Sequence, residues 1–341
     1  MRRSTIVLLA ATSALLPGTV ARASGRINCR PATVPVAQLA PATFVHGKLC
    51  RPAGSASADV LVLVPGATYD GTYWDVAYRP ATYNFRLAAN KAGYATFVLD
   101  RLGTGRSTAP PSLVVTHQLQ AAAVHGVIEW LNGSAGFARA ITVGHSLGSA
   151  TVVTEAATYD DAAAVLVTGF SHAINARGVA GLFTSLGPAA LDPRFRGRDP
   201  GYFTTLPARR SFLWGPDDLT PGMRAYDESI KQPVSAFEIA TAFQTIAPLP
   251  GLPATPLLKI PPTDMIDVPV LSINGAHDKL FCNPTACASA AAFRRAEASY
   301  YQASPDFRAW VLPRAGHDIN LARNTRRFQS RVFAWLKKVA R

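Results

Sequence analysis

Thr142-Val143-Gly144-His145-Ser146-Leu147-Gly148 carries a G-x-S-x-G pentapeptide with a β-branched run before it and a helix-forming run after it. Ala140-Ile141-Thr142-Val143 reads as a buried strand and residues 150–157 read as a helix. A serine on so tight a strand-to-helix turn is held in a strained backbone conformation, and the glycines two positions to either side let neighbouring chain pass close. Its hydroxyl then projects outward, which makes Ser146 a candidate nucleophile. The bare pentapeptide carries little weight in a Gly- and Ala-rich chain; the flanking strand and helix give it meaning.

Outward from this point the chain alternates strand-like and helix-like segments. Strands are predicted over 43–49, 59–64, 94–100 and 162–170, and again over 268–273 and 307–312. Helices are predicted over 85–92, 117–131, 286–300 and 325–339, with Ala121, Val124, Ile128 and Leu131 marking one apolar face. This rhythm implies an α/β fold with a mostly parallel sheet covered on both faces. It breaks between 171 and 263, a proline-rich stretch with Phe183, Phe195, Tyr202, Phe203, Phe212, Trp214, Tyr226, Phe237 and Phe243 and no clear long strand. A segment of that length is not a simple loop, so it is expected to form an inserted cap of short helices. The division is therefore 24–170 and 264–341 for two parts of one core, with 171–263 as the insertion. The Pro and Ala bias of 31–42 predicts an extended N-terminal arm.

The 341 residues are 48% hydrophobic and 16% charged, the balance of a protein with a substantial core. Arg2 and Arg3, the short apolar stretch over 6–16 and Ala21-Arg22-Ala23 together read as a secretory signal peptide cleaved near Ala23. No later segment approaches the ~18 uninterrupted apolar residues of a membrane span, so the mature protein is expected to be soluble and exported, without stable membrane insertion. In an oxidising exterior disulfides persist. Among the three connectivities open to four cysteines, closeness in sequence favours Cys29 with Cys50 and Cys282 with Cys287. Net charge is +13, and loss of the three arginines in residues 1–23 leaves +10. The cations are mostly scattered arginines, and the one concentration, over 323–341, interleaves with Phe328, Val332, Phe333, Trp335 and Leu336 at helical spacing. That is a packed helix with a solvated basic face, and no nucleic-acid partner is expected.

A serine hydroxyl needs a base to accept its proton and a carboxylate to orient that base. Asp278 follows the strand over 268–273 through Asn274-Gly275-Ala276-His277, and His317 follows the strand over 307–312 through Pro313-Arg314-Ala315-Gly316. His145 is read as packing beside the nucleophile, His277 as a loop residue, and His46, His117 and His125 as structural. Asp264 and Asp267 precede their strand, Asp318 adjoins the base, and Asp100 is read as organising its loop. For the oxyanion, the amide of Leu147 opens the elbow helix, and that of Ala67 follows the strand over 59–64, with Thr68 as the alternative. Tyr69, Asp70, Tyr73 and Trp74 are candidates to line the pocket or to sit in a surface loop.

Five motifs in order now carry a resemblance: Val62-Leu63-Val64-Pro65-Gly66-Ala67, Asp100-Arg101-Leu102-Gly103-Thr104-Gly105-Arg106-Ser107, Gly144-His145-Ser146-Leu147-Gly148, Asn274-Gly275-Ala276-His277-Asp278 and Gly316-His317. Together they resemble the α/β-hydrolase superfamily over nearly the whole mature chain. The resemblance implies an eight-stranded, mostly parallel sheet, a cap after the sixth strand, and a Ser146, Asp278, His317 triad in the family's chain order. Pro65 departs from it, since many relatives carry His there. The expected activity is hydrolysis of a carboxylic ester on a small, apolar substrate through an acyl-enzyme. Amide or peptide hydrolysis on the same residues, and non-catalytic ligand binding in the cap pocket, are the alternatives. Epoxide and haloalkane hydrolysis call for a carboxylate where Ser146 stands. No cofactor or metal motif is visible: Gly103-Thr104-Gly105 lacks the third glycine of a dinucleotide loop, and no C-x-x-C or clustered His accompanies the cysteines.

Overall fold

The computed structural model describes residues 26–36, 40, 42–54, 58–245 and 262–339; the signal-peptide reading falls outside them. Its main sheet has eight strands: β1 (Ile27–Pro35), β2 (Phe44–Pro52), β3 (Asp59–Val64), β4 (Ala95–Leu99), β5 (Arg139–His145), β6 (Ala162–Thr168) and, after a long excursion, two more. That excursion contains β7 (Leu186–Pro188), β8 (Tyr202–Thr205) and β9 (Val234–Ser235), and the main sheet resumes with β10 (Val270–Gly275) and β11 (Phe307–Leu312). The order is β1-β2-β4-β3-β5-β6-β10-β11, with β1 and β2 antiparallel to their neighbours and every other pair parallel. This is the α/β-hydrolase fold that the motifs imply.

The strands read as continuous apolar runs because both faces of the sheet are covered. In β3 all six residues are buried. Val60, Val62 and Val64 point into one core with Val124, Val127 and Ile128 of α3 (His117–Gly133) and Val152 and Val153 of α4 (Leu147–Tyr159), with α1 (Pro80–Tyr83) and α2 (Phe85–Lys91) preceding them in the chain. Leu61 and Leu63 point the other way, to Phe85 of α2 and to Phe328, Val332, Trp335 and Leu336 of the C-terminal helix over Thr325–Val339. Each such buried side chain contributes roughly 1.5–3 kcal/mol. Their alternation fixes the register, since a one-residue slip would exchange the two cores.

Two expectations are corrected. The extended arm expected over 31–42 is, as far as residue 35, part of a sheet strand: residues 27–35 pair along their whole length with β2, and the register sets Cys29 opposite Cys50. Pro31 and Pro35 do not prevent this, because an edge strand need donate hydrogen bonds on only one side. The segment after β6 is not purely helical. Besides α5 (Ala176–Ser185), α6 (Pro221–Ser229) and α7 (Ala236–Ala242) it forms the small antiparallel sheet β7-β8-β9, whose strands of two to four residues are too short for a periodicity to show. The chain then completes α8 (Ala290–Glu297) and α9, the Thr325–Val339 helix. Both expected cysteine pairs are bonded, with Cα atoms 4.0 Å apart for Cys29–Cys50 and 5.5 Å apart for Cys282–Cys287. Among the described residues no helix is long and apolar enough to cross a membrane.

Candidate active site

Ser146 lies between the end of β5 and the start of α4, at φ 52 and ψ −119. A non-glycine residue in that region costs on the order of 1–3 kcal/mol, a strain that the surrounding packing must hold. The two pentapeptide glycines show how it is held. A Cβ on Gly144 would come within 2.5 Å of the Cα of Ser149, and one on Gly148 would overlap the carbonyl oxygens of Val64 and Pro65. The elbow thus presses against the end of β3, and its backbone is pinned further by the Ser146 N–H donating to Thr168 O at 2.7 Å.

The late strands deliver the other two residues. Asp278 sits in the turn after β10 and His317 in the turn after β11, and His317 Nδ1 lies 2.9 Å from Asp278 Oδ2. The other Asp278 oxygen accepts from the backbone N–H groups of Leu280 at 2.8 Å and Phe281 at 3.2 Å. Burial opposes charge on both residues, yet the partner outweighs it. Asp278 is held below the ordinary carboxylate range by His317 and by these two amides, and His317 is raised above its ordinary 6.5 by Asp278. With Nδ1 taken by Asp278, Nε2 is the ring atom free for a substrate or the serine.

Ala67, Thr68, Tyr69, Ser146, Leu147 and His317 line one pocket. Leu147 opens α4, so its N–H has no acceptor within the helix and carries the positive end of the helix dipole. Ala67 belongs to a turn in which Tyr69 N–H donates to Gly66 O, with Thr68 at φ 60. Apart from His145 and Thr205 the rest of the wall is apolar: Ala150, Phe170, Leu280 and Phe281 from the core, and Leu182, Phe212, Leu213, Ile239, Ala242 and Phe243 from the β6–β10 connection. Of the nine aromatics noted there in the sequence only Phe212 and Phe243 reach the pocket; Tyr202 is buried by packing and Phe183 and Phe237 are largely exposed.

The remaining candidates divide. Tyr69 lines the pocket, but Asp70 caps the short 3-10 turn over Gly71–Tyr73 by accepting from Thr72 N–H. Tyr73 and Trp74 are neither pocket nor surface residues: both are fully buried, Tyr73 stacked on His145 at 4.3 Å and Trp74 against Phe85 at 5.2 Å. Asp100 organises its loop, accepting from Gly71 and Arg106 N–H, while His277 is exposed. Asp264 and Asp267 lie ahead of β10, away from the pocket lining.

Two buried arrangements escaped the sequence. His145 Nε2 lies 3.1 Å from Asp318 Oδ1, and its Nδ1 lies 3.1 Å from Thr168 Oγ1, forming a second His–Asp pair whose imidazole is 5.0 Å from that of His317. Arg210, wholly buried in the connection, donates to both oxygens of Asp227 at 3.0 and 3.1 Å and to Thr68 Oγ1 at 2.9 Å, and lies over the Tyr69 ring at 4.4 Å. Tyr69 Oη donates to the same Asp227 at 2.6 Å. The turn bearing Ala67 is thereby tied to the connection by a satisfied buried ion pair. Neither arrangement has a local motif, since the partners lie 173, 17 and 142 positions apart.

A family model described as the alpha/beta hydrolase family matches residues 61–328. The chain belongs to the alpha/beta hydrolase family. No curated protein sequence matches this hydrolase. Among solved structures it is similar to a bacterial membrane phospholipase A described as a virulence factor, at 16% identity and TM-score 0.59, covering 92% of this chain and 86% of that one. It is also similar to a carboxylesterase from Bacillus subtilis, at 18% identity and TM-score 0.58, covering 91% and 92%. A putative aryl esterase from Burkholderia cenocepacia matches at 16% identity and TM-score 0.59, covering 91% and 99%. At these identities the likeness is one of fold, and what this alpha/beta hydrolase does rests on its own residues.

Proposed function

We propose that this hydrolase cleaves a carboxylic ester with Ser146 as nucleophile, His317 as base and Asp278 as its orienting carboxylate. The observation that carries the reading is Ser146 at positive φ on the wall of an apolar pocket that His317, already hydrogen-bonded to Asp278, also lines. Ser146 Oγ attacks the ester carbonyl as its proton passes to His317 Nε2, and the imidazolium is stabilised by Asp278. The oxyanion accepts from the N–H groups of Leu147 and Ala67. Collapse expels the alcohol with the proton from His317, and a water, deprotonated by the same imidazole, releases the acid and frees Ser146.

Residues 171–263 act in this proposal as the cap over a core formed by 24–170 and 264–341, because half of the apolar wall comes from that connection. An apolar small-molecule ester fits the wall, in which no carboxylate, lysine or arginine takes part among the described residues and the only ionisable groups besides Tyr69 are the imidazoles of His145 and His317. The solved relatives named as esterases support ester over amide chemistry. Export after cleavage near Ala23 completes the proposal and agrees with the two disulfides.

An active-site phosphonate and a series of p-nitrophenyl esters test the reading together. Ser146 should be the labelled residue, and turnover should vanish in Ser146→Ala. A folded protein that neither labels nor turns over any ester above that control would leave the ligand-binding alternative in its place.

A further inference from the structure

At the end of α4 remote from Ser146, three residues from three segments converge: His125 of α3, Glu155 of α4, and Asp161 in the turn between α4 and β6. One ligand atom from each lies within 4.8 Å of the other two. Glu155 is wholly buried, and neither of its carboxylate oxygens, nor Asp161 Oδ1, has a hydrogen-bond donor. A buried carboxylate without a donor is costly, and either a proton or a cation must relieve it. His125 is arranged as a metal-binding histidine is. Its Nδ1 faces Asp161 Oδ2 at 2.7 Å, its Nε2 faces the Glu129 carboxylate at 3.6 Å, and its ring is stacked on Tyr159 at 4.0 Å. A carboxylate on the far nitrogen is the usual outer support of a histidine ligand.

We propose that His125 Nδ1, Glu155 and Asp161 form a binding site for a divalent transition-metal ion of the Zn²⁺ class. One imidazole with two carboxylates suits Zn²⁺ better than Ca²⁺, which takes six to eight oxygens. A tetrahedral ion with bonds of about 2.1 Å holds its ligand atoms roughly 3.4 Å apart, within the 4.8 Å that bounds these three atoms. His125 and Asp161 are about a fifth exposed, at 23% and 22%, which leaves room for entry and for a water as fourth ligand. In the bound state His125 Nδ1 carries no proton and the ring N–H sits on Nε2, facing Glu129. The Glu155 carboxyl, which burial and then Asp161 raise well above the ordinary range, gives its proton to solvent. The ion would clamp α3 to the α4–β6 turn. Its ligands are 30 and 6 positions apart, so no sequence spacing announces it.

Calorimetric titration of Zn²⁺ into the chelator-treated, desalted full chain tests the site at pH 6, where proton release is read from buffers of different ionisation enthalpy. Expected are one ion per chain, bound with net proton release, and affinity reduced at least about 100-fold in Glu155→Gln and in Asp161→Asn and about tenfold in Glu129→Gln. Asp161→Asn alters a partly exposed turn and serves if Glu155→Gln does not fold. Ser146 labelling should be unchanged in all three, because the site does not rest on the ester reading. No binding, or stoichiometric binding that all three variants retain, overturns the proposal and leaves a proton shared between Glu155 and Asp161 as the occupant.

Discussion

His317–Asp278 and His145–Asp318 are the same two residue types at nearly the same separation, 2.9 and 3.1 Å, with their imidazoles 5.0 Å apart, and they settle in opposite electrostatic states. In the first pair the histidine is raised and the aspartate lowered, both toward the ion pair. In the second, burial first and then the neighbouring His317 lower His145 well below its ordinary value, and burial raises Asp318, both toward the neutral forms. The difference lies in the donors around the carboxylate. Asp278 receives two backbone N–H groups, whereas Asp318 Oδ2 has no partner and no backbone amide among the described residues reaches it. A buried carboxylate is cheap to ionise only where fixed dipoles already point at it.

The largest effect expected from disturbing this comparison is at Asp278. Asp278→Asn should lower kcat/KM by about 10⁴-fold, since the imidazole loses its orienting partner. His317 must be neutral to act as base, so activity falls as pH drops through its pKa. The acid limb of the wild-type kcat/KM profile should lie above pH 6.5 and move down in Asp278→Asn. A limb that stays in place would mean that another group titrates there.

A third buried histidine, His117, has no carboxylate at all and calibrates the pair. Neither ring nitrogen has a partner, and burial lowers it to about 4 from 6.5. Its contribution to stability is complete above pH 6.5 and is lost as pH falls from 6.5 to about 4, a change of about 3 kcal/mol. Urea unfolding at pH 7.5 and at pH 4 should show this loss, and His117→Leu should remove that part of the pH dependence even if it shifts stability at both values.

The smallest effect should come from Asp318→Asn. The pair is already inclined to neutrality, so an uncharged isostere should change kcat/KM by less than about tenfold, with a slight downward move of the acid limb because Asp318 is a minor contributor to the raised His317. A loss approaching that of Asp278→Asn would show that Asp318, not Asp278, orients the base.

What was legible in the sequence is what neighbours along the chain enforce. The elbow needs only residues 144–148 and its flanks, and β3 and β11 begin and end where their apolar runs do, at 59–64 and 307–312. Asp278 and His317 were legible because each follows a recognisable strand at a fixed remove. The strand over 27–35, the sheet β7-β8-β9 and the Arg210–Asp227–Thr68 link were not, because each exists only through a partner distant in sequence, and a proline-rich segment or a lone arginine reads alike with or without one.

By itself the sequence determined the alternation of the core strands and helices from 59 to 170 and from 268 onward, the strained position of Ser146 and the strand ends that carry its proposed partners, since backbone sterics and apolar periodicity act over a few residues. Only the tertiary structure decided which buried histidine is shifted toward its charged form and which toward its neutral one. That depends on desolvation and on backbone amides set around each carboxylate by the packing of β10, β11 and their turns, and such fields are sums over space rather than over sequence.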